Sequence, residues 1–472
     1  MHLYNQHFML KRKFESVIEN FLKKEKDKIL LVNGARQIGK SYLIRYVGTK
    51  LYKNFIEINL KEDKENNRIF EDATSTSEFY IRLSNFSSKP LGDIHDTLIF
   101  LDEIQSYPRL LTLLKFLRQE GRFRFIASGS ELGIALSQTP SVPMGSVSIE
   151  EMYPLDFEEF LWASGVSDIF IDYVRNQFEK GVSLKEADHR LMMQHFKYYL
   201  LVGGMPEAIN AFLEDRTIIR VRSIQSDIHE LYKIDASQYD SEHRLSIRKI
   251  YDLIPSNLEN KKKRIVYNSI ENKKGKTFSD YAEEFEYLTN SGVALEVSAI
   301  SNPRFPLIES DQKKLVKLYL NDVGILTDIL YGPYVNAVLQ DVTSINLGTV
   351  YESVVAQELA AHRFALHYYD NKKKGEVDFL IDDYSSLSVL PIEVKSGKDY
   401  KQHSALTNFL KTPEYGIKKA VVFSNNREVS VKDGITYLPI YYVMFLNNDS
   451  NTLPPVFLPE LEFPDQPPAS DR

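Results

Sequence analysis

Nine consecutive residues, Asn33-Gly34-Ala35-Arg36-Gln37-Ile38-Gly39-Lys40-Ser41, set a glycine, four residues and then Gly-Lys-Ser between two patterned runs. Before them Ile29-Leu30-Leu31-Val32 reads as a short apolar strand, and after them Tyr42-Leu43-Ile44-Arg45-Tyr46-Val47 reads as the first turns of a helix. That spacing in that context is a phosphate-binding loop, or P-loop. Backbone N–H groups and the positive end of the helix attract anions there without help from side chains. Gly34 and Gly39 allow the close approach. Lys40 would balance the β and γ phosphates, and the Ser41 hydroxyl would complete the shell of a Mg²⁺ ion. The ligands expected at Gly34, Ala35, Arg36, Gln37, Ile38, Gly39, Lys40 and Ser41 are therefore ATP and Mg²⁺.

A second stretch supplies the matching acids. Leu98-Ile99-Phe100-Leu101-Asp102-Glu103 is an apolar strand ending in two carboxylates, about sixty residues after the loop. On a strand successive side chains point to opposite sides, so Asp102 would face the metal shell and Glu103 the space where a water attacks the γ-phosphate. Asp102 is thus the metal candidate beside Ser41, and Glu103 the catalytic one. A further strand, Phe123-Arg124-Phe125-Ile126-Ala127, runs into Ser128-Gly129-Ser130. Ser128, with Ser130 in reserve, is the candidate sensor of the γ-phosphate; a plain serine-glycine turn is the competing reading.

The elements that must hold these groups follow from the same patterns. Strands at 29–32, 55–60, 98–101 and 123–127, separated by helices, predict a parallel α/β sandwich with its ligand at the carboxyl ends of the strands. The polar stretch 61–68 reads as a loop, and a helix is expected through 79–83. Ahead of them Phe14, Val17, Ile18, Phe21 and Leu22 recur as on the buried face of a helix.

Composition limits the alternatives. In 472 residues, 58 Lys and Arg stand against 65 Asp and Glu, a formal charge of −7, so no overall cationic field draws nucleic acid or membrane. There is no cysteine, hence no disulfide or thiolate metal site. The N-terminal stretch lacks a signal-peptide pattern, and the apolar run 435–446 is too short to span a bilayer and reads as a buried strand pair. A soluble, cytoplasmic protein without a membrane partner is expected.

Taken together, Gly34 to Ser41, the Phe55-Ile56-Glu57-Ile58-Asn59-Leu60 strand, Leu101-Asp102-Glu103-Ile104-Gln105 and Tyr153-Pro154-Leu155-Asp156-Phe157-Glu158-Glu159-Phe160-Leu161 resemble a prokaryotic family of AAA+ ATPases. Gly203-Gly204-Met205-Pro206-Glu207 and Lys317-Leu318-Tyr319-Leu320-Asn321-Asp322-Val323-Gly324 agree with it, so the resemblance runs to about Ser424. It implies ATP hydrolysis and a C-terminal domain of unknown function similar to PD-(D/E)XK nucleases. Asp378, followed fifteen residues later by Glu393-Val394-Lys395, is similar to that nuclease core. Alternation puts Glu393 and Lys395 on one face, where the acid could bind Mg²⁺ beside Asp378 and the lysine orient a water; Glu352 could add a third carboxylate. Two charged strands at a sheet edge are the plainer alternative. The chain departs from the resemblance at Gly145-Ser146, where the family carries Gly-Arg, and this favours slow turnover.

The expected fold class is α/β and multidomain: an AAA+ P-loop ATPase core over 1–155, a helical lid over 156–240, a winged-helix-like module over 241–340, a restriction-endonuclease-like α/β domain over 341–446, and a proline-rich, extended tail over 447–472. The winged module rests on helices expected at 246–258, 264–270 and 277–291, followed by two short strands. Lys261, Lys262, Lys263 and Arg264 form its best basic patch, although Glu283, Glu284 and Glu286 on its last helix would repel phosphate. A DNA or protein partner and an oligomer both stay open. So do three functions: an ATP hydrolase, a nucleotide-dependent switch with little turnover, and an ATP-regulated DNA-processing nuclease.

Overall fold

The computed structural model describes residues 9–25, 27–87, 90–137, 145–236, 243–260, 263–310, 312–340, 345–397 and 399–448. The expected tail beyond 448 and the basic residues Lys261 and Lys262 lie outside the described residues. Two sheets organise the chain.

The first has five parallel strands, β1 (Ile29–Asn33), β2 (Asn54–Asn59), β3 (Thr97–Asp102), β4 (Arg124–Gly129) and β5 (Val147–Glu151), in the order β2-β3-β4-β1-β5. Every residue of β1 and β3 is buried, because helices cover both faces, and this is why both strands read as unbroken apolar runs. Alternate residues feed two cores: Leu30, Val32, Leu98 and Phe100 face one, Ile29, Leu31, Ile99 and Leu101 the other. The first helix, Lys13–Lys24, buries Phe14, Ile18 and Leu22, as its spacing predicts. β5 had no counterpart among the expected strands. It is short, half-exposed and weakly apolar, so its pattern carries little signal.

The polar stretch after β2 is a helix, Leu60–Glu65, and not a loop. Asn59 caps it by accepting from the Glu62 N–H at 3.0 Å, so local capping overrides the hydrophilic pattern.

The second sheet has eight strands: β6 (Ala294–Ile300), β7 (Gln312–Leu320), β8 (His367–Asn371), β9 (Gly375–Asp383), β10 (Ser388–Lys395), β11 (Ala420–Ser424), β12 (Ser430–Lys432) and β13 (Ile435–Pro439). Their order is β12-β13-β11-β10-β9-β8-β6-β7. The hairpin expected as the wing of a separate module is therefore β6 and β7, and β6 pairs in parallel with β8 (Ser298 with His367, Ile300 with Tyr369). Backbone pairing joins the segments on either side of residue 340 into one sheet. The helices before it also differ from expectation. Arg244–Glu259 is longer, Asn268–Glu271 is a single turn, and 277–291 splits into a 3₁₀ turn, Phe278–Asp280, and the helix Ala282–Asn290.

The apolar run 435–446 is not a strand pair. Pro439, with φ −56°, ends β13 and starts a 3₁₀ helix, Ile440–Phe445, all of whose residues are buried. A proline has no N–H for a ladder, so the second strand could not form through it. Among the described residues no helix is long and apolar enough to cross a membrane.

Candidate functional site

The loop between β1 and the helix Lys40–Leu51 turns on left-handed backbone at Gln37 (φ 63°) and Gly39 (φ 93°). Gly34 (φ 146°) is required for a second reason: a Cβ there would lie 2.2 Å from the carbonyl oxygen of Met152. Ala35 and Ile38 are buried and anchor the loop to the core. Lys40, only 6% exposed, sends its ammonium back to the carbonyl oxygens of Gly34 and Ala35, both at 2.8 Å. Burial pushes its pKa down to about 8, against the pull of the Glu103 and Asp102 carboxylates.

Ser41 opens that helix and Asp102 closes β3, and the strand order brings them together: Ser41 Oγ donates to Asp102 Oδ2 at 2.7 Å. Ser128, at the end of β4 beside β3, donates to Asp102 Oδ1. One carboxylate thus links three of the expected residues. Its donor set is hard oxygen, the kind Mg²⁺ takes.

Glu103 departs from expectation. It lies beyond the last residue of β3 in the left-handed conformation (φ 55°, ψ 45°), so strand alternation does not set its direction. Instead Gln105 Nε2 donates to Glu103 Oε2 at 2.7 Å and lies 3.4 Å from Ser130 Oγ. Ser130 also takes Arg36 Nε at 3.3 Å, and Arg36 pairs with Asp235 of the helix Ile218–Ala236 at 2.5 Å. Gln105 and Asp235 had no assigned role. Gln105 was visible in the Leu-Asp-Glu-Ile-Gln motif, whereas Asp235 had no local signal. Arg36, Glu103, Gln105 and Glu131 line an open cleft of about 720 Å³ together with Lys61 and Lys64.

The residue that departs from the family's Gly-Arg sits elsewhere. The carbonyl of Ser146 accepts from the N–H of Ile29, at the amino end of β1. The P-loop leaves the opposite end of that strand, four residues on, roughly 13 Å away. The identity of residue 146 therefore does not bear directly on this chain's own loop.

The second constellation also assembles. Asp378 lies on β9 and Glu393 and Lys395 on its antiparallel neighbour β10, with Asp378 Oδ2 accepting from the Val394 N–H at 2.8 Å. Lys395 Nζ meets Glu393 Oε1 at 2.7 Å. Glu352, from the helix Leu347–Ala361, meets Lys263, a member of the expected basic patch. Arg264 turns to Asp370 at 3.5 Å, so the two described members of that patch face carboxylates. Lys317, fully buried on β7, lies 2.6 Å from Glu376. Burial, then the charge of Asp378, push the Glu393 carboxyl up to about 8 and raise that of Glu352. Among the described residues no group of three or more His, Asp or Glu side chains is placed to hold a metal ion.

Residues 26–161 match the family described as an AAA domain, residues 193–332 a domain of unknown function (DUF8612), and residues 347–443 a domain of unknown function (DUF4143). The chain carries an AAA-type P-loop ATPase domain. Its first unknown domain runs through residue 240, where lid and winged module were expected to divide. No curated protein matches. Among solved structures, the chain is similar to the Walker-type ATPase PABY2304 of Pyrococcus abyssi at 17% identity and TM-score 0.41, covering 68% of this chain and 95% of that one. It is similar to the Aeropyrum pernix ORC1 protein in complex with DNA at 14% and 0.30, covering 72% and 95%. For AMPPCP-bound DnaA from Aquifex aeolicus the values are 11% and 0.28, covering 58% and 86%.

Proposed function

We propose that the AAA-type domain binds ATP along residues 34–41 and hydrolyses it slowly, and that the nucleotide state is passed to the C-terminal sheet. The observation that carries this reading is the convergence of Lys40, Ser41 and Ser128 with Asp102 at the carboxyl ends of three adjacent strands. Lys40 balances phosphate charge, Ser41 and Asp102 hold Mg²⁺, and Ser128 reports the γ-phosphate. When bound, the ion spreads the charge of the phosphate oxygens. Glu103 orients the attacking water once it is freed from Gln105, and this restraint is one reason to expect slow turnover. The same restraint favours the second reading, a switch that binds ATP and seldom hydrolyses it.

The helix Leu347–Ala361 is the proposed route between the two halves. Glu352 on it belongs to the C-terminal cluster, while Gln357 accepts from the Val323 N–H at 2.9 Å and Glu358 from the Phe157 N–H at 2.8 Å. Gln357 Nε2 also donates to Tyr199 of the lid at 2.8 Å. The similarity of Asp378, Glu393 and Lys395 to a nuclease core makes DNA the partner to test first. ATP turnover in Mg²⁺, with and without DNA, decides among the readings. Turnover abolished by Glu103→Gln supports the hydrolase, tight binding without turnover supports the switch, and no ATP binding at all ends both.

A further inference from the structure

The C-terminal cluster holds the residue types of a metal-dependent nuclease but, among the described residues, not a metal-ready arrangement, and a lysine reaches it from another part of the chain. Lys263 precedes β6, far in sequence from Asp378 and Glu393. Its backbone is in the left-handed region (φ 49°), which a non-glycine residue adopts only when surrounding contacts hold it there. Its side chain is 19% exposed and its ammonium is seated on Glu352, whose side chain is 4% exposed. Burial disfavours that charge, yet Glu352 and then Asp378 outweigh it and hold the lysine protonated beyond its ordinary range. Tyr319, also buried, places its hydroxyl 3.4 Å from the other oxygen of Glu352. On the far side of Asp378, Glu393 is 6% exposed; one of its oxygens meets Lys395 and the other, Oε2, is buried without a hydrogen-bond partner. An acceptor left so is costly and marks a place where a cation or donor would be gained.

We infer that Lys263, seated on Glu352, is the built-in counter-cation of this cluster, so that the cluster would take a hard divalent ion only when the lysine is withdrawn. The inference rests on the nuclease-like reading for the identity of the competing ion, Mg²⁺ or Mn²⁺, which prefer carboxylate oxygen. Seating one ammonium costs the protein no outside ligand, and a divalent ion entering beside it would meet a like charge at close range. Withdrawal would be coupled to the rest of the molecule, because Glu352 rides on the helix whose Gln357 and Glu358 contact Tyr199 and Phe157 of the proposed lid.

The test uses the full chain carrying Lys40→Ala, to silence the P-loop, with Mn²⁺ as probe. Calorimetric titration is run on that protein, on Asp378→Asn, on Lys263→Met, on Lys263→Gln as a milder variant, and on Lys263→Met combined with Asp378→Asn. The expected result is no site tighter than millimolar with Lys263 in place, and a gain of at least tenfold in Mn²⁺ affinity in Lys263→Met that Asp378→Asn removes. The Lys263→Met protein should also melt at a lower temperature than its parent and recover on adding Mn²⁺. Equal, Asp378-dependent Mn²⁺ binding with and without Lys263 would overturn the inference while leaving the nuclease-like reading intact. No Mn²⁺ binding in any folded variant would overturn both. If neither Lys263 variant folds, titration of the parent still decides, since tight Asp378-dependent binding there contradicts a seated lysine.

Discussion

Lys40 and Lys263 are both lysines drawn into the protein against the cost of burial, yet they are satisfied in opposite ways. Lys40 rests on two neutral carbonyls of its own loop, and its acidic neighbour Asp102 is engaged by hydroxyls. Lys263 rests on a carboxylate, as do Lys317 and Lys395 around it. The directions of their pKa values follow: down for Lys40, up for Lys263 and Lys395. A lysine held by carbonyls keeps its attraction for an incoming anion. Carboxylates already facing lysines have less to offer an incoming cation. The first arrangement is poised for a ligand, and the second neutralises itself within the fold.

The largest test of this contrast is the turnover that the first arrangement supports. Glu103→Gln should leave nucleotide affinity within about twofold and lower any hydrolysis by roughly 10²-fold or more, since a positioned base contributes 10² to 10⁴. Phosphate release against binding of a labelled ATP analogue separates the two. Next in size, Lys40→Ala should weaken nucleotide binding by roughly 10²-fold, the loss of a charge-assisted contact worth about 3 kcal/mol. The matching change in the other region, Lys395→Met, should leave nucleotide affinity alone and lower stability by ~2 kcal/mol. That is less than the 3–5 kcal/mol for fully buried pairs, because the Lys395 side chain is 29% exposed. Denaturant midpoints and the same binding assay check both halves, and a reversed pattern would dissolve the distinction.

A pH series sharpens the comparison further. The folded pKa of Lys40 is about 8 against an ordinary 10.5, so between those values the unfolded chain holds more protons than the folded one. Stability should therefore rise with pH across that window, by up to about 3 kcal/mol. Nucleotide affinity should move the other way, falling by up to about tenfold per pH unit above 8, because phosphate needs the ammonium. Lys40→Met should show neither trend. Urea midpoints and ATP-analogue titrations at pH 8 and 10 are sufficient to see this.

The contrast also explains what the sequence disclosed. The P-loop is local: its glycines, lysine and serine act through backbone geometry set within nine residues, so the motif and its flanking strand and helix are legible together. Asp102 and Ser128 are legible for the same reason, each ending a strongly apolar strand. Glu103 is not, because a single left-handed residue after β3 breaks the alternation on which its direction was argued. The C-terminal cluster is legible in part. Period-two spacing puts Glu393 and Lys395 on one face and the resemblance adds Asp378 and Glu352, whereas Lys263 and Lys317 depend on β6 and β7 joining the sheet, a long-range pairing with no local signature. The same pairing is why a hairpin that looks like a free-standing wing in sequence is part of an eight-stranded sheet.

The smallest expected effect probes how firmly the helix Ile218–Ala236 holds the loop on which Lys40 depends. Tyr232, 1% exposed on that helix, donates its hydroxyl to the carbonyl oxygen of Arg36 at 2.9 Å, and Asn321 Nδ2 lies 3.5 Å from that hydroxyl. Asn321 begins the turn whose Asp322 accepts from the Gly204 N–H at 2.6 Å, so one hydroxyl joins the P-loop, the helix Ile218–Ala236 and the end of β7. Tyr232→Phe keeps the ring and removes that junction. Its cost should be about 1 kcal/mol in stability, the net worth of one hydrogen bond, and no more than about fivefold in nucleotide affinity. An affinity loss comparable to that of Lys40→Ala would mean that the loop is held open for phosphate by the helix that carries Tyr232. The carbonyl contacts of Lys40 would then be a consequence of that hold, and the contrast between the two lysines would have to be redrawn around Tyr232.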